Sequence, residues 1–142
     1  MGRRMFDEGE FGWMFDEGQV GWPDPPPFRA PVFVLTHRAR EPWVRQGGTT
    51  FTFVTDGIEN ALEQARAAAG DKDVQIAGGA DIIRQFIEAG MLDELQIHLA
   101  PVLLGDGVRL FDRIDTEDAV ELEVTRVIDS PRVTHLRYRV VK

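Results

Sequence analysis

Asp73-Val74-Gln75-Ile76-Ala77-Gly78-Gly79-Ala80-Asp81-Ile82 is the stretch on which the fold turns. Asp73–Ala77 is a short strand candidate, two glycines follow, and Ile82, Ile83, Phe86 and Ile87 then recur at helical spacing until Gly90. The order is strand, glycine turn, helix. Adjacent glycines at the carboxyl end of a strand let backbone approach a flat or anionic ligand, and the helix behind them presents unpaired N–H groups and its positive dipole end. The stretch matches neither G-x-G-x-x-G nor G-x-x-x-x-G-K-[ST], and a double glycine is also an ordinary turn. By itself it leaves a nucleotide site and a plain bend both open.

Outward from this stretch the same alternation continues. Upstream, Pro31-Val32-Phe33-Val34-Leu35-Thr36 is an apolar, β-branched run that reads as a strand covered on both faces. Thr49–Thr55 reads as an alternating strand, and Asp56 is placed to cap a helix whose Ile58, Ala61, Leu62, Ala65 and Ala69 share one face until Gly70. Downstream, Glu94–Leu99 is a strand and residues 101–107 form a loop with two glycines. Strands over about 119–127 and 133–141 close the chain around an Asp129-Ser130-Pro131 turn. The pattern predicts an α/β fold with a largely parallel sheet and an antiparallel C-terminal hairpin at its edge.

The first thirty residues differ. Met5–Trp13 is followed at once by a near copy, Met14–Trp22, and then by Pro23-Asp24-Pro25-Pro26-Pro27. Two nine-residue copies are too few and too short for a stacked repeat. The segment reads as irregular surface chain with a rigid connector, and its Phe6, Phe11, Trp13, Phe15 and Trp22 as surface aromatics that could alternatively cap a ligand or partner. One domain is expected over 1–142, with 1–30 irregular and 31–142 the α/β core.

Composition sets the outer bounds. The 142 residues carry 16 basic and 24 acidic side chains, a net charge of −8, which argues against general attraction to nucleic acid or anionic lipid. With no cysteine, disulfides, thiolate metal sites and a cysteine nucleophile are excluded. Apolar runs are far shorter than the roughly 20 residues of a membrane span, and no apolar signal region opens the chain. A cytoplasmic protein is expected.

Few residues suggest chemistry. Thr36, His37 and Arg38, with Arg40, end an apolar strand in groups able to hold a phosphate, although a solvated basic loop has the same appearance. Gly2-Arg3-Arg4 is a second basic group. His37, His98 and His135 lie in separate elements without close metal-ligand spacing, so no metal site is expected and His98 reads as a sheet-face or core histidine. Glu121, Glu123, Arg126, Arg137 and Arg139 suit cross-strand pairing on the hairpin.

Met1-Gly2-Arg3-Arg4, Val32–Arg38, Ile76–Ala80 and Leu92-Asp93-Glu94-Leu95 through Pro101–Gly105, in this order, resemble the bacterial deaminase–reductase C-terminal domain family. That family belongs to the dihydrofolate reductase-like superfamily and includes the riboflavin-biosynthesis reductase domain. The resemblance implies a dihydrofolate reductase-like three-layer fold that here lacks the family's first strand and the loop over the substrate. It implies an NADPH-dependent oxidoreductase moving hydride to a small heterocyclic, pyrimidine- or pterin-like substrate, in the manner of a 5-amino-6-(5-phosphoribosylamino)uracil reductase. It further implies that Gly2, Arg3 and Arg4 end a strand and open a helix beside the adenosine 2′-phosphate. Thr36, His37 and Arg38 would flank that phosphate. Ala77, Gly78, Gly79 and Ala80 would line nicotinamide and pyrophosphate, with amides of Asp81 and Ile82 on the diphosphate. Met5 stands where the family commonly has a phosphate-contacting threonine, and no catalytic acid or base can be mapped. A homodimer is expected, and a non-catalytic binding or assembly module with the same fold is the alternative.

Overall fold

Val32–Leu35 forms β1, and its four consecutive apolar residues pair in parallel with β3, Thr50–Val54, from Val32 opposite Phe51 to Leu35 opposite Val54. Trp43–Val44, β2, joins the other edge of β3 antiparallel, returning through a short 3-10 turn at Gln46–Gly48. The computed structural model describes residues 1–11, 22–117 and 119–142, with the backbone alone for residues 8–11. They divide into two units, 1–82 and 83–142. The β1–β3–β2 sheet belongs to the first.

Composition alone makes residues 1–30 irregular, but Arg3–Phe11 is a helix, α1. Its anchor is Phe6, which is fully buried with Val34 and Phe51. The Phe6 ring meets Trp43, Phe51 and Phe53 edge-on, at centroid distances of 6.0, 5.1 and 5.2 Å. Burial of such a ring contributes about 1.5–3 kcal/mol, and Arg3 and Asp7 pair one turn apart on the same helix. Trp22 also packs inward, against Phe28 and Phe51, and its indole donates to the Phe6 carbonyl at 3.2 Å. Phe6 and Trp22 are therefore core residues and not surface caps. Trp13, Phe15 and most of the second repeat copy lie outside the described residues, as does the Phe11 side chain.

The proline-rich connector is a packed loop. Asp24 accepts the Gln46 amide at 2.7 Å, and the Asp24–Pro25 bond is cis. Thr49, fully buried, donates its hydroxyl to the Phe28 carbonyl at 2.6 Å.

Ile58–Ala69 is α2, burying Ile58 and Ala61 as its spacing predicts. Its cap is Gly57, not Asp56; with φ of 101° this position favours glycine, and Asp56 instead accepts from the Asn60 amide at 3.0 Å. The expected strand at 73–77 is not formed. Half-buried Val74 and Ile76 alternate with exposed neighbours, yet the stretch has no ladder partner among the described residues, and a strand needs one.

Met1 and Gly2 run parallel to β1. The Met1 amine donates to Phe33 O at 2.7 Å, Leu35 N–H to Met1 O at 2.9 Å, and Gly2 bridges Leu35. Burial without a countercharge pulls this amine from its ordinary 8.0 down to about 6. Between these values the unfolded chain binds the extra proton, so stability is full above pH 8 and declines as pH falls through 6. The two-unit difference corresponds to about 2–3 kcal/mol. The unfolding free energy of the 142-residue chain, taken from urea titrations, should fall by that amount from about pH 8.5 to 5.5. N-terminal acetylation should remove this component.

In the second unit, Glu94–Leu99 (β4), Leu122–Ile128 (β5) and Thr134–Val140 (β6) form an antiparallel sheet with β6 in the middle. Helix α3, Ala80–Glu88, buries Phe86 and Ile87. The predicted hairpin is present, with a bulge between Val124 and Arg126, and Arg139 pairs with Glu123 while Arg137 pairs with Glu94. The sheet was expected to be largely parallel. Among the described strand pairs only β1–β3 is so, because β4 joins the antiparallel C-terminal hairpin and β2 returns by a short turn.

Candidate functional site

Three stretches singled out in the sequence meet in the first unit. The Gly2 amide donates to the Gly78 carbonyl at 2.7 Å while Gly2 bridges Leu35 on its other side, and the Thr36 amide donates to Val54 O at 3.0 Å. Met1–Arg4, Leu35–Arg38 and Ala77–Ile82 thus converge beside the carboxyl ends of the parallel pair β1 and β3. Ligands of open α/β sheets bind at such ends.

The glycines there differ in purpose. A Cβ on Gly2 would stand 2.9 Å from Ile82 Cγ1 and 3.6 Å from Gly78 O and Gly79 N, so Gly2 permits the close approach that joins the stretches. Gly78 is buried at φ of 110°, a conformation that favours glycine, and the Gly78–Gly79 peptide is cis. Gly79 is exposed, and a Cβ there would meet nothing within 4 Å. The bend therefore exposes backbone at Gly79, where no side chain lies within 4 Å of an added Cβ, while Gly78 is buried.

Helix α3 begins directly behind it at Ala80. Its Ile82 amide already donates to Gly79 O at 3.1 Å, so Ile82 is occupied within the turn. Asp81 places a carboxyl group in the first helical turn.

The basic groups divide as well. Arg3 pairs with Asp7 at 2.6 Å and lies 5.5 Å from the Phe6 ring centroid, which ties it to the helix and the core. Arg40 packs over Phe6, Trp43 and Phe53 at 5.2–5.5 Å. Arg4, His37 and Arg38 are exposed beside the convergence. Thr36 Oγ1 accepts the Arg38 amide at 3.1 Å and so shapes the loop that carries them. Met5 is half-buried and offers no hydrogen-bond donor.

These residues suit an extended, flat and anionic molecule: open glycine backbone, a helix start and exposed cations lie together. Among the described residues no group of three or more metal-ligating side chains occurs, and no helix is long and apolar enough to cross a membrane. The Arg3–Asp7 pairing could have been read from its four-residue spacing. The short strand β2, by contrast, carries too few residues for a periodicity signal.

The chain is similar to known proteins in sequence and in fold. The chain is 35% identical over 80 residues to the uncharacterized protein YyaP of Bacillus subtilis, a match covering 55% of this chain and 41% of that one. It is 41% identical over 51 residues to the riboflavin biosynthesis protein RibD of Corynebacterium ammoniagenes, covering 36% of this chain and 15% of that protein. A solved structure of a candidate riboflavin biosynthesis protein from Shewanella sp. PV-4 superposes with a TM-score of 0.69 at 25% identity, covering 100% of this chain and 72% of the other. Residues 14–136 match the RibD C-terminal domain, and the chain belongs to that family.

Proposed function

We propose that this chain is a reductase of the riboflavin-biosynthesis type, using NADPH to reduce a pyrimidine- or pterin-like heterocycle. The observation that carries the reading is the junction of Gly2, Leu35 and Gly78, which gathers three sequence-distant stretches beside the exposed backbone of Gly79. Bound NADPH supplies the hydride. The chain supplies position: Ala77, Gly78, Gly79 and Ala80 would hold nicotinamide and pyrophosphate, with the exposed Gly79 backbone allowing close approach, and the α3 dipole would favour negative charge beside them. Arg4, Thr36, His37 and Arg38 would hold the 2′-phosphate, with Arg3 contributing less because Asp7 offsets its charge.

Equilibrium titration tests this directly. NADPH should bind more tightly than NADH, and Arg38→Ala should weaken NADPH about tenfold, or about 1.4 kcal/mol, while leaving NADH unchanged. Equal weakening of both would remove Arg38 from the phosphate, and no binding of either would remove the reductase reading.

The assembly belonging to this reading is a homodimer. Leu122, Val124 and Val127 on one side of β5 are all more than 40% exposed, an apolar face of the kind that drives association. Light scattering should report twice the chain mass, reduced to one chain mass by Val124→Glu. A dimer that binds neither dinucleotide would instead support the assembly-module alternative.

A further inference from the structure

His98 and His135 are 37 residues apart, but the β4–β6 register sets them directly opposite each other. Their Nδ1 atoms are 2.7 Å apart, with ring centroids at 4.8 Å and planes inclined by 73°. We propose that this pair is a two-imidazole site for a late first-row divalent ion, Cu²⁺ foremost. The proposal is independent of the reductase reading, since both histidines lie in the second unit and that reading uses neither.

Two ring nitrogens at hydrogen-bond distance share one hydrogen on the line between them, and turning each ring by about 45° swings both lone pairs to a common point beside that line. An ion placed there requires metal–nitrogen bonds of about 2.0–2.1 Å. Two such bonds at a right angle hold the nitrogens about 2.9 Å apart, and at a tetrahedral angle about 3.3 Å. From 2.7 Å, the right-angle geometry parts the nitrogens by only a few tenths of an ångström while each ring turns by about 45°. That favours the square-planar or tetragonal preference of Cu²⁺ and Ni²⁺ over tetrahedral Zn²⁺, and Cu²⁺ also heads the general affinity order.

The surroundings permit it. Glu94, Gln96 and His98 share one face of the sheet with His135, Arg137 and Arg139 of β6 and with Glu123, Arg126 and Ile128 of β5. Arg137, the nearest cation along β6, is paired with Glu94, and Arg139 is paired with Glu123. Both histidines are free to turn: His98 is exposed and His135 only half-buried. No third protein ligand completes the set among the described residues, so the remaining coordination positions fall to water or a small donor molecule.

Titration of the 142-residue chain with Cu²⁺ at neutral pH tests the proposal. One ion should bind with roughly micromolar affinity, equivalent to about −8 kcal/mol. His98→Ala and His135→Ala should each weaken it at least tenfold, the double variant little more than either, and His37→Ala not at all. Far-ultraviolet circular dichroism checks that each variant is folded. In the unaltered chain, paramagnetic broadening of amide resonances should centre on residues 97–99 and 134–136. Broadening confined to the Met1 amine or to His37, or affinity untouched by both single substitutions, would overturn the site.

Discussion

Phe6→Ala is expected to destabilise the chain by about 3–5 kcal/mol, the range for removing a buried aromatic ring. Globular domains hold only about 5–15 kcal/mol in total, so one ring is a large share. Three features place Phe6 in this class. Its side chain is fully buried, three aromatic rings meet it edge-on, and it is the described anchor of α1 against the sheet. Edge-to-face pairs add about 0.5–1.5 kcal/mol each beyond the area they cover. Urea unfolding should show a lower midpoint with an unchanged slope, and Phe6→Leu, which keeps most of the volume, should lose about 1–2 kcal/mol. Because α1 begins at Arg3, immediately after the Gly2 bridge to Leu35, dinucleotide affinity should fall along with stability. A loss below about 1 kcal/mol in Phe6→Ala would mean that α1 is not held by this ring.

Gly79→Ala is expected to separate binding from folding. The φ of Gly79 lies outside the left-handed range, and an added Cβ meets no atom within 4 Å, so the folded chain has room for it. Its stability should change by less than about 1 kcal/mol, as for substitutions that disturb no packing. The same methyl group projects from the surface assigned to nicotinamide and pyrophosphate, where close backbone approach is the purpose of a glycine. NADPH affinity should therefore drop at least about tenfold, or about 1.4 kcal/mol, with NADH affected equally. That equality distinguishes the variant from Arg38→Ala, whose effect should be confined to the 2′-phosphate.

Much of this arrangement was legible in the sequence wherever a signal was local. The apolar run at 32–35, the spacing of Ile58 and Ala61, and the C-terminal hairpin all appear where their periodicities place them. Asp73–Ala77 has the residue pattern of a strand but lacks a ladder, since pattern supplies the faces and pairing must come from elsewhere in the chain. Helix α1 was hidden by composition. Its single decisive residue, Phe6, becomes recognisable as core only once Phe51 and Phe53 are seen to face it. The site was legible as separate pieces, and their junction through Gly2 was not, because a hydrogen bond spanning 76 positions has no local signature. The meeting of His98 with His135 was hidden for the same reason, being fixed by strand register alone.

The central claim is that one dinucleotide touches all three converging stretches. Amide resonances of the 142-residue chain, followed while NADPH is added, test it most directly. Saturable shifts should appear together at Gly2, at Thr36 and Arg38, and at Gly79 and Ala80, with a single affinity. Shifts confined to the β4–β6–β5 sheet, or none at millimolar NADPH, would contradict it.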